Sequence, residues 1–247
     1  ALPILAFTIT FVVGLFLWLV FHRNDADMRI KDGFLVTVFY YLALGIFGAL
    51  PFINEGGLGL SLPDALFESF SGLTTTGATV IVGLDHLPES ILYYRQQLQW
   101  LGGMGIIVLA VAVLPMLGIG GMQLYRAETP GPVKDSKLTP RIKETALALW
   151  SIYLGLTVVC ALAYWAAGMS LFDAVCHSFS TIAIGGFSTH DASIGYFDSA
   201  IIESIAIFFM ILAGINFGLH FFALKEKSAL HYLRDDEVRF YLSILAI

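Results

Sequence analysis

Ser61-Leu62-Pro63-Asp64-Ala65-Leu66-Phe67-Glu68-Ser69-Phe70-Ser71-Gly72-Leu73-Thr74-Thr75-Thr76-Gly77-Ala78-Thr79 returns 109 residues later as Ser170-Leu171-Phe172-Asp173-Ala174-Val175-Cys176-His177-Ser178-Phe179-Ser180-Thr181-Ile182-Ala183-Ile184-Gly185-Gly186-Phe187-Ser188, with eight of 19 paired positions identical. In each copy a serine stands where a helix N-cap belongs. An aspartate follows three residues on, in a variant of the capping box, and an apolar piece comes next. Pro63 suits a first helical turn. Such a piece of roughly ten residues makes ~15 Å of helix, half the ~30 Å hydrocarbon core. It can enter a membrane and cannot cross one. Both copies then run into Thr74-Thr75-Thr76-Gly77-Ala78-Thr79 and Ala183-Ile184-Gly185-Gly186-Phe187-Ser188, where glycine at positive φ can turn successive carbonyls to one side.

Outward from these copies the chain is strongly apolar. Of 247 residues, 57% are hydrophobic and 13% charged, and the mean hydropathy is +0.81. Ordinary globular domains carry roughly 25% charged residues, so a water-soluble surface of normal composition is excluded. Five long apolar stretches are each long enough to span a bilayer: Ala1 to Phe21, Gly33 to Ile53, Ser90 to Tyr125, Thr145 to Met169 and Ser199 to Leu224. The third is interrupted by Gly102, Gly103, Gly105, Pro115, Gly118, Gly120 and Gly121, and is expected to tilt, kink or break. The chain opens on an alanine, and its first apolar run has no basic leader or cleavage site, which predicts a membrane helix of a longer protein. Cys160 and Cys176 lie inside apolar stretches without metal or redox spacing and read as small buried hydrophobes.

Charge placement supplies an orientation. Twelve of the 13 basic residues follow the first, third and fifth spans, Arg95 being the exception. The intervening segments carry Asp64, Glu68, Asp85, Glu89, Asp173, Asp191, Asp198 and Glu203. Basic loops are cytoplasmic by the positive-inside rule, so each half-length helix must leave and return on the outer side. The expected organisation is an extra N-terminal helix and loop (1–32), a first helix, half-helix, turn and helix unit (33–126), a cytoplasmic linker (127–144), a second such unit (145–225), and a further linker leading into the start of a third (226–247). Two units of the same orientation are related by an axis along the membrane normal, on which a pore can form.

Non-helical backbone at membrane depth is tolerated only when buried in protein or lining a water-filled path. Carbonyls so arranged can replace the hydration shell of a weakly hydrated cation, and the half-helix C-terminus favours positive charge at the same place. The bland alternative is a pair of ordinary tight turns, and the repetition argues against it. An intramembrane enzyme would need a convergent nucleophile, base or metal set, and the chain offers none. A non-conducting membrane scaffold remains a rival.

The runs Phe67 to Thr79, Tyr94-Arg95-Gln96, Gln99-Trp100-Leu101-Gly102-Gly103-Met104-Gly105 and Thr181 to Asp191 closely resemble the Trk/Ktr/HKT superfamily, in its bacterial potassium-translocating branch. The resemblance covers essentially the whole chain. It implies an all-α polytopic membrane protein with four tandem helix, pore-helix, filter and helix repeats around a pseudo-fourfold pore, two of them present here. The filter-lining positions it implies are Thr75, Thr76 and Gly77, with Ile184, Gly185 and Gly186, flanked by Thr74, Ala78, Ala183 and Phe187. Potassium would be the transported ion, with no cofactor in this chain. Glycine at both Gly77 and Gly186 favours potassium over sodium, and a sodium- and potassium-permeable transporter of the same superfamily is the alternative. A homodimer in the bacterial inner membrane is further implied, with lipid around it, a cytosolic nucleotide-binding ring of the TrkA type docked on the basic side, and no nucleic acid. The superfamily's gate lies in units beyond these two.

Remaining polar residues admit two readings each. Arg95 is an ion-path charge, or an interfacial arginine that snorkels outward or pairs with Glu89 or Glu68. Glu68 and His177 occupy equivalent positions, which suggests bonding behind the turns rather than proton relay. Asp85-His86 and His190-Asp191 follow the turns and are expected at the outer mouth, where acids attract cations or are merely solvated. The glycines of Gly102 to Gly105 and Gly118 to Gly121 fit close helix packing, because no nucleotide-binding context surrounds them. The proline-containing basic loop from Arg126 to Lys143 could bind a partner or anionic lipid.

Overall fold

The computed structural model describes residues 2–21, 30–53, 58–112 and 138–246, and every regular element among them is helical. Helix α1 (Leu2–Phe21) precedes a first unit made of α2 (Ile30–Gly48), the short α3 (Leu50–Ile53), the half-helix α4 (Leu62–Leu73) and α5 (Glu89–Ala112). The second unit comprises α6 (Leu138–Ala166), the half-helix α7 (Leu171–Ala183), α8 (Ala200–Ala213) and α9 (Phe217–Lys225). Two further helices, α10 (Leu230–Arg234) and α11 (Asp236–Leu245), follow. Gly118, Gly120, Gly121 and the basic residues Arg126, Lys134 and Lys137 lie outside the described residues.

Both half-helices begin as their sequences predict. Ser61 accepts from the Asp64 amide at 3.4 Å and donates its hydroxyl to the Asp64 carboxylate at 2.6 Å. Ser170 does the same with Asp173, at 3.0 and 2.7 Å. Helix α4 packs between α2 and α5, and α7 packs against α5, α6 and α8. Each unit has its own apolar core: Phe52, Ala65, Ile81, Leu92 and Leu98 in the first, Tyr153, Tyr164, Met169, Ile182 and Phe209 in the second. Cys160 and Cys176 are buried and unpaired, as expected of small apolar side chains.

Helix α5 joins the two cores. Its Trp100 stacks on Phe179 of α7 with centroids 5.2 Å apart, and its indole N–H donates to Thr157 of α6 at 3.1 Å. The glycines on α5 permit close approach. A Cβ at Gly102 would run into the carbonyl of Leu73 at the end of α4, and one at Gly103 would lie 2.7 Å from the Tyr153 hydroxyl.

One expected span is not a single helix. Ser199 to Leu224 divides into α8 and α9, bent by 90° at Gly214-Ile215-Asn216. Asn216 caps α9 by accepting from the Gly218 amide at 2.9 Å. The Leu212 carbonyl at the break accepts from the Ile215 amide at 3.1 Å and from His220 at 3.0 Å, so the bend leaves that group satisfied. Polar side chains placed to replace lost backbone bonds make a break affordable here, and apolar length alone does not reveal them. Among the described residues, Leu147–Ala166 is by itself long and apolar enough to cross a membrane, with mean hydropathy 1.9. Exposed Val158, Val159, Leu162 and Trp165 give it the apolar exterior that a lipid-facing helix carries.

Candidate functional site

The chain takes the same path out of both half-helices. In the first, the Thr75 amide donates to Gly72 at 3.0 Å and the Thr76 amide to Ser71 at 2.9 Å; in the second, Ile184 donates to Thr181 at 3.1 Å and Gly185 to Ser180 at 2.8 Å. These are the two paired bonds of a Schellman helix end, at positions 109 residues apart. The residue that must turn left-handed in that motif is usually glycine, yet here it is Thr75 at φ 55° and Ile184 at φ 51°. A β-branched side chain rarely adopts this conformation. Two residues further on the backbone turns left-handed again, at Gly77 with φ 76° and Gly186 with φ 86°. The glycines agree with expectation; the left-handed Thr75 and Ile184 had no local signal and became visible only in space. Alternating handedness over Thr75, Thr76, Gly77 and over Ile184, Gly185, Gly186 is strained backbone of the kind that clusters at functional sites.

The two turns also meet. A Cβ added to Gly77 would collide with the carbonyl oxygen of Gly185 and lie 3.5 Å from the Gly186 Cα. The predicted positions Thr75, Thr76, Gly77, Ile184, Gly185 and Gly186 are therefore brought to one place. Of the flanking positions, Thr74 donates its hydroxyl to the Phe70 carbonyl at 2.7 Å, Ala78 accepts from Ser71 Oγ at 2.5 Å, Ala183 is the last residue of α7, and Phe187 is buried.

Behind the turns the equivalent residues Glu68 and His177 each bind the hydroxyl at the far end of their own loop. Thr79 Oγ1 donates to the Glu68 carboxylate at 2.9 Å, and the Val80 amide donates to it at 3.0 Å. His177 Nδ1 donates to the Asp173 carbonyl at 2.9 Å, which leaves Nε2 to accept from Ser188 Oγ at 3.0 Å. Arg95 does not snorkel. It is fully buried, pairs with Glu68 at 2.8 Å and lies over the Phe187 ring, 4.3 Å from its centroid. An apolar environment this deep accepts the guanidinium only because the carboxylate is beside it, and nothing in the local sequence distinguishes Glu68 from Glu89 as that partner.

Beyond the turns the outer segments are tied together. Asp191 accepts from the amides of Gly83 and Leu84 at 3.0 and 3.1 Å, and His190 Nδ1 bonds Asp85 at 2.5 Å. That bond, first among the influences on it, holds the Asp85 carboxyl below the usual carboxylate range. His190 Nε2 stands 3.3 Å from Asp173 Oδ1. Asp85 and His190 thus act first on each other, and the Asp191 carboxylate on the backbone of the other segment.

Paired half-length helices, abutting turns and apolar outer helices, with only helical elements among the described residues, are features of a helical membrane protein. The chain belongs to the TrkH family of cation transport proteins, whose family model matches residues 4–247. It is 61% identical over 243 residues to the Trk system potassium uptake protein TrkH of Halomonas elongata, covering 98% of this chain and 50% of that protein. The TrkH protein of Escherichia coli K12 is 59% identical, with 97% and 50% covered. The crystal structure of the potassium transporter TrkH from Vibrio parahaemolyticus superimposes with a TM-score of 0.82 at 52% identity, covering 97% of this chain and 49% of that one. The chain spans about half the length of the relatives it matches. Its family is one of transporters, not enzymes.

Proposed function

We propose that this chain supplies two quarters of a potassium-conducting pore in the bacterial inner membrane. Backbone carbonyls of Thr75, Thr76 and Gly77 and of Ile184, Gly185 and Gly186 form half of a selectivity filter, and two further units complete a pseudo-fourfold ring. The observation that carries this reading is the shared left-handed alternation at Thr75 and Gly77 and at Ile184 and Gly186, in two turns that abut. Carbonyl oxygens replace the water of a weakly hydrated ion, and the C-terminal ends of α4 and α7 add partial negative charge toward it. Potassium uptake is what the named relatives do, and no chemical turnover is required of the chain. In this reading the turns face outward and the basic linkers face the cytoplasm, where a TrkA-type nucleotide-binding ring docks. The protein works as a homodimer surrounded by lipid.

The test is ion preference in the full-length protein. A side chain at Gly77 or Gly186 adds roughly 1–2 kcal/mol of left-handed strain or rotates a carbonyl away from the ion. Reversal potentials in liposomes are expected to show Gly77→Ser and Gly186→Ser each reducing potassium-over-sodium preference by about tenfold, the equivalent of ~1.4 kcal/mol. Unchanged preference in well-folded protein for both variants would remove these turns from the filter.

A further inference from the structure

Helix α5 belongs to the first unit, yet its buried Gln99 and Arg95 also serve the turn of the second. Gln99 Oε1 accepts from the Phe187 amide at 3.1 Å, and its side chain fills the space beside Gly185. One turn of helix earlier, Arg95 reaches both loops at once. Its Nε donates to Glu68 at 2.8 Å and its Nη2 to Thr79 Oγ1 at 3.0 Å, which hold the outer end of the first loop. Its Nη1 donates to the Ser188 carbonyl at 3.2 Å, and the face of the guanidinium covers Phe187, which hold the second. All three nitrogens of the fork are engaged.

We infer that Arg95 is a positioning residue for ion discrimination: a rigid fork that sets the two filter segments at a fixed spacing, so that both carbonyl sets move when it is displaced. This rests on the filter reading above. The planar guanidinium presents its donors in fixed directions, which a lysine ammonium does not, so charge alone cannot substitute. The second unit has no such device on α8. Helix α8 carries no arginine or lysine, and counted from the helix starts the position of Arg95 falls on Ala206. Among the described residues Arg95 bonds both loops at once, while His190 and Asp191 tie the two segments further out.

Three variants of the full-length protein test the role, each read both by potassium-over-sodium reversal potential in liposomes and by thermal melting in detergent. Arg95→Lys keeps the charge opposite Glu68 and loses the fork. Glu68→Gln combined with Arg95→Gln avoids leaving either charge buried alone. Thr79→Val removes only the hydroxyl that receives Nη2 and binds Glu68. Arg95→Lys and the double variant are expected to lose about tenfold in ion preference, and Thr79→Val a few-fold, each beyond what lowered melting accounts for. A residue that merely stabilises the fold would lower the melting temperature and leave ion preference in place, and that result overturns the inference. If the two Arg95 variants fail to accumulate, Thr79→Val decides: preserved preference overturns the role, a few-fold loss supports it. Gly77→Ser separates the two readings. Loss of preference there with none at Arg95 removes only the positioning role, whereas no loss at both Gly77 and Gly186 removes the filter and this inference together.

Discussion

The two loops share a backbone and differ in what holds it. The first, Thr74 to Val80, is largely open along its length, and its outer end is fastened to its own half-helix by the charged Glu68. The second, Ala183 to Thr189, is buried except at Ile184 and Gly186 and is backed by side chains of the first unit, Gln99 and Arg95. Its own half-helix contributes the neutral His177 instead. Repetition of a backbone path therefore does not require repetition of its supports. What the two loops share is the backbone path, and an ion pair or a neutral hydrogen bond can hold it.

This difference can be broken by removing what each unit uses to pack. The largest effect is expected at Gly102, where α5 meets the end of α4. Gly102→Ala would drive a methyl group into the Leu73 carbonyl, a backbone atom that cannot swing aside. Overpacking of this kind typically costs 1–3 kcal/mol, and the value here should sit at or above ~3 kcal/mol. Counted from the helix starts at Glu89 and Ala200, the position of Gly102 falls on Ala213 in α8, so the second unit already carries there the methyl group that the first excludes. Detergent melting curves should show Gly102→Ala far more damaging than Ala213→Gly; equal losses would mean the half-helices are packed alike.

A sharper contrast lies inside the loops. Thr76 and Gly185 are repeat partners, but a Cβ at Gly185 would meet the side chain of Gln99, whereas Thr76 is exposed. Gly185→Ala should destabilise by about 1–3 kcal/mol as Gln99 is pushed from the Phe187 amide. Thr76→Ala should stay within roughly 0.5 kcal/mol, the usual range for an exposed side chain. Comparable losses in chemical or thermal unfolding would show that the second loop is not backed by the first unit.

The smallest effect concerns the outer bond between His190 and Asp85. The Asp85 carboxyl is lowered from its ordinary value chiefly by that hydrogen bond. A depressed carboxylate contributes stability that is present above its unfolded value of ~3.9 and is lost as pH falls through the folded one. The melting temperature of Asp85→Asn should therefore lie slightly below the parent protein near neutral pH and converge with it as the pH drops under about 4. A constant difference across that range would mean the bond does not form.

Much of this molecule was written in the order of its residues. Ser61 and Ser170 start their helices because a hydroxyl must satisfy free amides, a demand that is local and reads directly from the sequence. Helix length, apolar exteriors and the positive φ of Gly77 and Gly186 follow from equally local requirements, and the 109-residue repeat by itself marks the equivalence of the two turns. The left-handed Thr75 and Ile184, the choice of Glu68 as partner for Arg95, the service of Gln99 to the neighbouring unit and the 90° break at Gly214 were decided only in three dimensions. Each depends on which buried donor lies nearest which buried acceptor. That is a matter of distance through space, and a membrane interior, without water to satisfy the groups left over, enforces it strictly.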